Sequence, residues 1–171
     1  RRAAGEGGDK EDGEKTLPPV CVVVEIMPAE GIKDTQMFAP QDPYAIVTLL
    51  PSGTQERTRH VEAGGADPKW DASHENQLVL ALAGEDTRVK IELWNLNTFV
   101  DDLIGSVELD LKIASCQDGR YKLNTGGEVC CTISKLHEED QQKKEEHEAE
   151  SAKEQFRGAY YEAEETEDKP V

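Results

Sequence analysis

The sequence predicts an all-β fold, an eight-stranded antiparallel β-sandwich, and three observations support that prediction. Between residues 17 and 136, apolar residues recur at every second position in six separate runs, the spacing that buries one face of a strand. Clusters of Gly, Pro, Asp and Ser typical of turns separate these runs. Short strands at this density, over about 120 residues, are typical of two antiparallel sheets packed face to face.

The six apolar runs and two more polar segments supply the eight strands. The polar run Gln55–Glu62 and the short segment Arg120–Leu123 complete the set. Because successive side chains of a strand point to opposite faces, we expect the recurring apolar residues to share one core. In chain order these residues are Val20, Val22, Val24 and Ile26; Ala45, Val47 and Leu49; Leu78, Leu80 and Leu82; Val89, Ile91 and Leu93; Val107, Leu109 and Leu111; and Val129, Cys131 and Ile133.

Charge and composition divide the chain into three segments. The 171 residues carry a formal net charge of −17 and are 36% hydrophobic, below the ~45–50% of an average globular chain. Residues 1–16 have the composition of a linker and lack core-forming periodicity. Residues 17–136 and 137–171 each carry a net charge of −8. We therefore predict a disordered linker, a sandwich domain and an acidic tail with these boundaries.

The acidic tail is predicted to be a solvated helix that fades into disorder near Gly158. Glu139 with Lys143, and Asp140 with Lys144, have the spacing that supports a helix. One phenylalanine and two tyrosines are nearly the only large apolar side chains of the tail, so it lacks the apolar stripe of a docked helix.

Composition and missing motifs exclude several function classes. No run approaches the ~18–20 apolar residues of a transmembrane helix, and no signal peptide opens the chain. The excess of acidic residues argues against nucleic-acid binding, which needs clustered Lys and Arg. The chain lacks G-x-S-x-G, a Gly-rich phosphate loop and H-E-x-x-H. We therefore predict a non-enzymatic protein.

The cysteines indicate the cellular compartment of the protein, and the first residue indicates whether the chain is part of a longer one. The four cysteines show neither C-x-x-C spacing nor a histidine pair at zinc-ligand distance, so we expect reduced thiols in a cytosolic protein. The chain opens on Arg1 rather than Met, and we expect it to be a piece of a larger polypeptide.

Five segments in order resemble the sequence blocks of the C2 domain family. The resemblance covers about residues 18–136, and the strand order is similar to that of the phospholipase-type members. It implies an eight-stranded sandwich whose loops at one end bind Ca²⁺ and phospholipid. The residues after Trp70 depart from the family pattern, which leaves open where the next strand begins. The five segments are 27–32 (MPAEGI), 42–47 (DPYAIV), 67–71 (DPKWD), 91–95 (IELWN) and 101–105 (DDLIG).

The resemblance implies a Ca²⁺ site that is weak or degenerate in this chain. The family supplies acidic ligands from loop one (residues 31–42) and loop three (residues 95–102), but two asparagines stand here where loop three has Asp. Each exchange removes a negative charge, and carboxylate charge sets Ca²⁺ affinity. Both weak Ca²⁺ binding and a Ca²⁺-independent site therefore remain open. The matching residues are Asp34, Asp42, Asn95, Asn97, Asp101 and Asp102.

Apolar residues occupy the centres of both loops, where polar residues are usual. Met37 and Phe38 lie in loop one, and Phe99 and Val100 lie in loop three. Members of the family insert such tips into bilayers, so the resemblance implies membrane contact. The alternative is that the longer loop folds Met37 or Phe38 back onto the core.

A short basic run provides a second candidate surface. Other C2 domains bind phosphoinositides through a basic strand, and the matching run here offers only Arg57, Arg59 and His60. Glu56 and Glu62 lie among them, which favours an exposed strand of mixed charge.

Two functions follow from the sequence. The first is a C2 domain of a larger cytosolic protein, which binds the phospholipid surface of membranes peripherally through its loop tips, with weak or absent Ca²⁺ dependence. The second is a protein–protein interaction module in a scaffold, trafficking or cytoskeletal assembly, which the degenerate acids and the net charge favour.

Overall fold

Two four-stranded antiparallel sheets pack face to face, as the alternating pattern predicts. The computed structural model describes residues 19–112 and 119–164. Residues 1–16, predicted to be a linker, and Cys116 lie outside the described residues. The elements are β1 (Cys21–Glu30), β2 (Pro43–Leu50), β3 (Gln55–Arg57), β4 (Gln77–Ala81), β5 (Arg88–Asn95), β6 (Asp102–Asp110), β7 (Gly119–Lys122), β8 (Glu128–Leu136) and the helix α1 (Glu138–Glu164).

The strand order places the first and last strands side by side. One sheet has the order β4-β1-β8-β7 and the other the order β3-β2-β5-β6. In the first sheet β1 pairs with both β4 and β8, and in the second β2 pairs with both β3 and β5. The prediction of an eight-stranded antiparallel sandwich is confirmed.

The core lies between the sheets and consists of the side chains that alternate in sequence. Val24, Val47 and Ile91 are fully buried, like most of the recurring residues. Burial of each such side chain stabilises the fold by about 1.5–3 kcal/mol relative to exposure. Val107 and Leu109 are only partly buried against this core, because β6 is an edge strand of its sheet.

The polar run Gln55–Glu62 forms a shorter strand than predicted. The backbone amides of Thr58 and Val61 donate to the carbonyls of Ala45 and Pro43, at 3.0 and 2.8 Å. The step of three residues from Thr58 to Val61 thus lies opposite a step of only two residues on β2, from Ala45 to Pro43. This mismatch interrupts the regular ladder of hydrogen bonds after Arg57. The Thr58 hydroxyl accepts from the Ala45 amide at 3.0 Å and holds the chain in place.

A short turn after Trp70 explains the departure from the family pattern. Asp71 caps a 3₁₀ turn at Ala72–His74, since its carboxylate accepts from the Ser73 amide at 2.9 Å. Glu75 closes the turn in the left-handed region. The next strand therefore begins at Gln77, six residues after the cap.

The thiols of Cys130 and Cys131 are free. Cys130 and Cys131 point to opposite faces of β8, so only the second is fully buried. Burial raises the pKa of Cys131 to about 12, which keeps it protonated and unreactive at neutral pH.

The helix of the acidic tail is longer than predicted. It continues through Gly158 to Glu164, so the prediction that it fades near Gly158 is wrong. A single helical glycine costs about 1 kcal/mol, and the flanking alanines and glutamates offset this cost. Its described side chains, among them Phe156, are exposed. The boundaries of the three segments stay predictions.

We expect removal of residues 138–171 to leave the melting temperature of the sandwich within a few degrees of the intact protein. An exposed helix without an apolar stripe contributes little packing energy. Thermal unfolding followed by circular dichroism measures this. A control truncation from Glu128 also removes β8, which pairs with β1, and should abolish folding. A large loss of stability after removal of 138–171 alone would show that the helix packs on the sandwich.

Candidate functional site

Loop one and loop three lie together at one end of the sandwich. They meet because β2 and β5 are antiparallel neighbours and Pro43 lies opposite Asn95. The Asp42 amide donates to Asn95 Oδ1 at 2.8 Å, and Gln36 Nε2 donates to Asn97 Oδ1 at 2.6 Å. The two loops therefore form a single surface with defined internal contacts.

The centres of both loops present apolar side chains to solvent. Met37 and Phe38 are 89% and 97% exposed, and Phe99 and Val100 are 96% and 76% exposed. These side chains do not pack on the core. Large apolar groups that project together from one end of a molecule are typical of an interaction site.

Leu103 extends this apolar surface and was missed by the sequence patterns. It is 43% exposed and pairs across the strands with Trp94, which in turn lies opposite Tyr44. A shift in register next to Trp94 turns Leu103 outward and leaves Ile104 buried. In the sequence, the one indication of this role was that an apolar residue stands at the third position of the segment DDLIG.

Buried Gln41 joins loop one to the neighbouring segment 58–71, which we call loop two. Its Nε2 donates to the carbonyls of Lys33 and Gly65 at 2.9 and 3.0 Å. Its Oε1 accepts from the amide and the hydroxyl of Thr35 at 3.1 and 3.2 Å. This side chain is fully buried, and only its place directly before DPY marked it in the sequence.

The acidic residues of loop one accept hydrogen bonds from nearby backbone amides. Asp34 Oδ1 accepts from the Gln36 amide at 2.9 Å, which forms a local turn. Asp42 Oδ1 accepts from the Ala63 amide at 2.6 Å and so ties loop one to loop two.

The acidic residues of loop three are bonded to groups within the same end of the sandwich. Asp101 Oδ1 accepts from the Asn97 amide at 2.9 Å, and its Oδ2 accepts from the Tyr44 hydroxyl at 2.6 Å. Asp102 Oδ2 accepts from Asn97 Nδ2 at 2.8 Å. The side chains of Asn95 and Asn97 are joined by a bond of 3.0 Å.

Electrostatics around Tyr44 reflect these contacts. Burial raises the pKa of Tyr44 to about 12, helped by the hydrogen bond to Asp101. The Asn97 amide lowers the pKa of Asp101, and the Tyr44 hydroxyl lowers it further. The Arg57 guanidinium lies 4.2 Å from the centre of the Tyr44 ring, in cation–π contact.

The arrangement fits a bound Ca²⁺ ion poorly. Calcium requires about 6–8 oxygen ligands directed at one point, whereas the side-chain amide of Asn97 donates to the Asp102 carboxylate and to the Val100 carbonyl. Within 19–112 and 119–164, no cluster of three or more His, Cys, Asp or Glu side chains is placed to hold a metal. The loop acids are bonded to internal donors instead.

Arg57, Arg59 and His60 lie together along a groove of about 380 Å³. Thr58, Ser73, His74 and Glu75 line the rest of the groove. Arg59 forms an ion pair of 2.7 Å with Glu75, and both side chains are exposed. The groove therefore has mixed charge rather than a dense positive potential.

Among the described residues, no helix has the length and apolar character needed to cross a membrane.

Two rice proteins named GTPase activating protein 1, from the subspecies indica and japonica, are each 31% identical over 71 residues, which is 42% of this chain. The chain spans 39% of the length of these curated relatives.

Solved structures share the fold at low sequence identity. A structure described as a C2 domain is 17% identical with a TM-score of 0.55, covering 69% of this chain and 99% of that one. A C2 domain of plant Extended Synaptotagmin 1 is 16% identical with a TM-score of 0.55, covering 71% of this chain and 98% of that one. Human GIVD cytosolic phospholipase A2 is 14% identical with a TM-score of 0.54, covering 72% of this chain and 18% of the phospholipase.

A family model described as C2 domain matches residues 20–125. That range contains loop one, loop three and all of the strands from β1 to β7. The match agrees with the topology and with the five sequence blocks, and this chain belongs to the C2 domain family.

Proposed function

We propose that this chain is a non-enzymatic module of a larger cytosolic protein that binds phospholipid membranes peripherally, through the tips of loops one and three, with weak or absent Ca²⁺ dependence. The observation that carries the proposal is the exposure of Met37, Phe38, Phe99 and Val100 at one end of the sandwich. C2 domains generally bind phospholipids and sometimes proteins, which agrees with this surface.

The apolar tips supply the free energy of binding. Each large side chain moved from water into the acyl region contributes about 1.5–3 kcal/mol. The loop backbones that carry the tips are held by Gln41 and by the bonds between loops, so little conformational entropy is lost on binding.

The charge of this end favours an uncharged membrane surface. Asp34 and Asp42 flank the tip of loop one in the sequence, and Asp101 and Asp102 follow the tip of loop three. A site that holds Ca²⁺ weakly leaves their charge largely uncompensated. Anionic lipids would therefore repel the loops. A zwitterionic surface such as phosphatidylcholine suits the combination of apolar tips and acidic surroundings.

Co-sedimentation with phosphatidylcholine vesicles tests the proposal. We expect the protein to pellet with the vesicles in EGTA, with a bound fraction that changes less than about twofold when Ca²⁺ is added at millimolar concentration, far above sensor affinities. Increasing the phosphatidylserine content should reduce binding. Binding that appears only with Ca²⁺ would contradict the proposed Ca²⁺ independence, and no binding under either condition would contradict membrane binding itself.

The second candidate is a protein–protein interaction module. The net charge of −8 over residues 17–136 and the mixed-charge groove at Arg57, Arg59 and His60 favour it. The name of the rice relatives makes a GTP-binding protein the first partner to test. Retention of such a protein by this chain, in the absence of vesicle binding, would support this candidate.

A further inference from the structure

We propose that the Asn97 side chain takes the structural place of a metal ion and holds loops one and three together from within. This inference deepens the proposed function and rests on it only where membrane binding is concerned. Asn97 is a positioning residue, since it acts through the loops that carry Phe38 and Phe99.

The Asn97 side chain uses its full hydrogen-bonding capacity. A primary amide has two N–H donors and one oxygen with two lone pairs. Nδ2 donates to the Val100 carbonyl at 2.9 Å and to Asp102 Oδ2 at 2.8 Å. Oδ1 accepts from Gln36 Nε2 at 2.6 Å and from Asn95 Nδ2 at 3.0 Å.

These four bonds connect each part of the site. Gln36 belongs to loop one, Asn95 ends β5, Val100 lies at the tip of loop three and Asp102 begins β6. The backbone amide of Asn97 adds a fifth bond, to Asp101. One residue thus fixes the tip of loop three relative to loop one.

The chemistry of an amide suits this position better than that of a carboxylate. The N–H bonds of Asn97 stabilise the Asp102 carboxylate and the Val100 carbonyl without adding charge. An aspartate at position 97 would lose both donors and place a third negative charge beside Asp101 and Asp102. Such a cluster needs a cation to compensate it. Asn97 therefore removes the requirement for Ca²⁺ in organising the loops.

The Asn97→Asp variant, which has nearly the same shape, tests the inference through its response to Ca²⁺. In EGTA, we expect a melting temperature several degrees below that of the unaltered protein. Ca²⁺ should restore it, whereas the unaltered protein should melt at the same temperature with and without Ca²⁺. Calorimetric titration should show binding at least about tenfold tighter in the variant, because one more carboxylate faces the ion.

Two further variants separate this role from ordinary structural damage. Asn124→Asp is the matched control, since the Asn124 oxygen accepts from the Ser106 amide at 2.9 Å and a carboxylate keeps that bond. It should respond to Ca²⁺ like the unaltered protein. Asn97→Ala lacks both the amide and the carboxylate, so we expect it to melt lower in EGTA and to gain nothing from Ca²⁺.

Two results would overturn the inference. The first is an Asn97→Asp variant as stable in EGTA as the unaltered protein, and the second is an unaltered protein whose melting temperature rises with Ca²⁺. Neither measurement involves lipid, so a failure of membrane binding leaves them interpretable. If the unaltered protein binds vesicles, Asn97→Ala should bind them severalfold more weakly although its Phe38 and Phe99 are intact.

Discussion

Replacing Phe38 and Phe99 together by alanine should remove most of the vesicle binding and leave the free energy of unfolding nearly unchanged. Both side chains are almost fully exposed, and truncation of exposed residues usually changes stability by less than about 0.5 kcal/mol. Burial of each contributes about 1.5–3 kcal/mol, so the partition coefficient should fall by a factor of about a hundred or more. Co-sedimentation and thermal unfolding of the same samples measure the two effects.

A matched control for this pair is Phe156→Ala, which removes an exposed phenylalanine from α1 and leaves the loops intact. It should bind vesicles like the unaltered protein. If the double variant instead loses about 3–5 kcal/mol of stability, as a buried phenylalanine would, the loops pack on the core in solution. Undiminished binding by a stable double variant would end the insertion hypothesis.

Replacing Gln41 by methionine should have the largest effect on stability among single changes in the loops. The side chain is fully buried, and methionine matches its shape but leaves the Lys33 and Gly65 carbonyls and the Thr35 amide without these partners. These bonds are only partly buried, and the loss of such a hydrogen bond usually costs about 0.5–1.5 kcal/mol net. We therefore expect a loss of about 2–4 kcal/mol in total for the three groups. Urea unfolding at equilibrium measures it.

Gln77→Met provides the control for this variant, because Gln77 is an exposed residue of β4 and its replacement should change stability little. A loss below about 1 kcal/mol at Gln41 would mean that loops one and two rearrange to satisfy the freed groups. In that event the loop tips would also be less firmly positioned than the bonds of Gln41 indicate.

The sandwich could be predicted from sequence because strand periodicity is a local property. The alternation of Val22, Val24 and Ile26 assigns one face of β1 to the core whatever lies opposite it. Where a strand stops depends on its partner, so the early end of β3 at Arg57 could not be read from the polar run alone. The same is true of Gly158, where flanking helix formers outweigh one unfavourable residue.

The apolar character of the loop tips could be predicted from the sequence, since Phe38 and Phe99 stand out among polar loop residues. The bonds of Asn97 were not, because they join it to Gln36, which lies 61 positions earlier in the chain. Sequence showed that Asn95 and Asn97 replace acids. Only the fold shows that the Asn97 amide donates to one of the acids that remain.

The pairing of β1 with β8 determines how the module can be attached to other segments. Val20 donates to the Leu136 carbonyl at 2.8 Å, so the polypeptide enters and leaves the sandwich at neighbouring points. Those points lie at the opposite end of β1 from loop one, about 30 Å away for a strand of this length. Segments that flank the sandwich are therefore attached at the end that lies away from the tips of loops one and three. A domain tethered in this way can rotate to bring its tips onto a surface without being hindered at the tips by its attachment points.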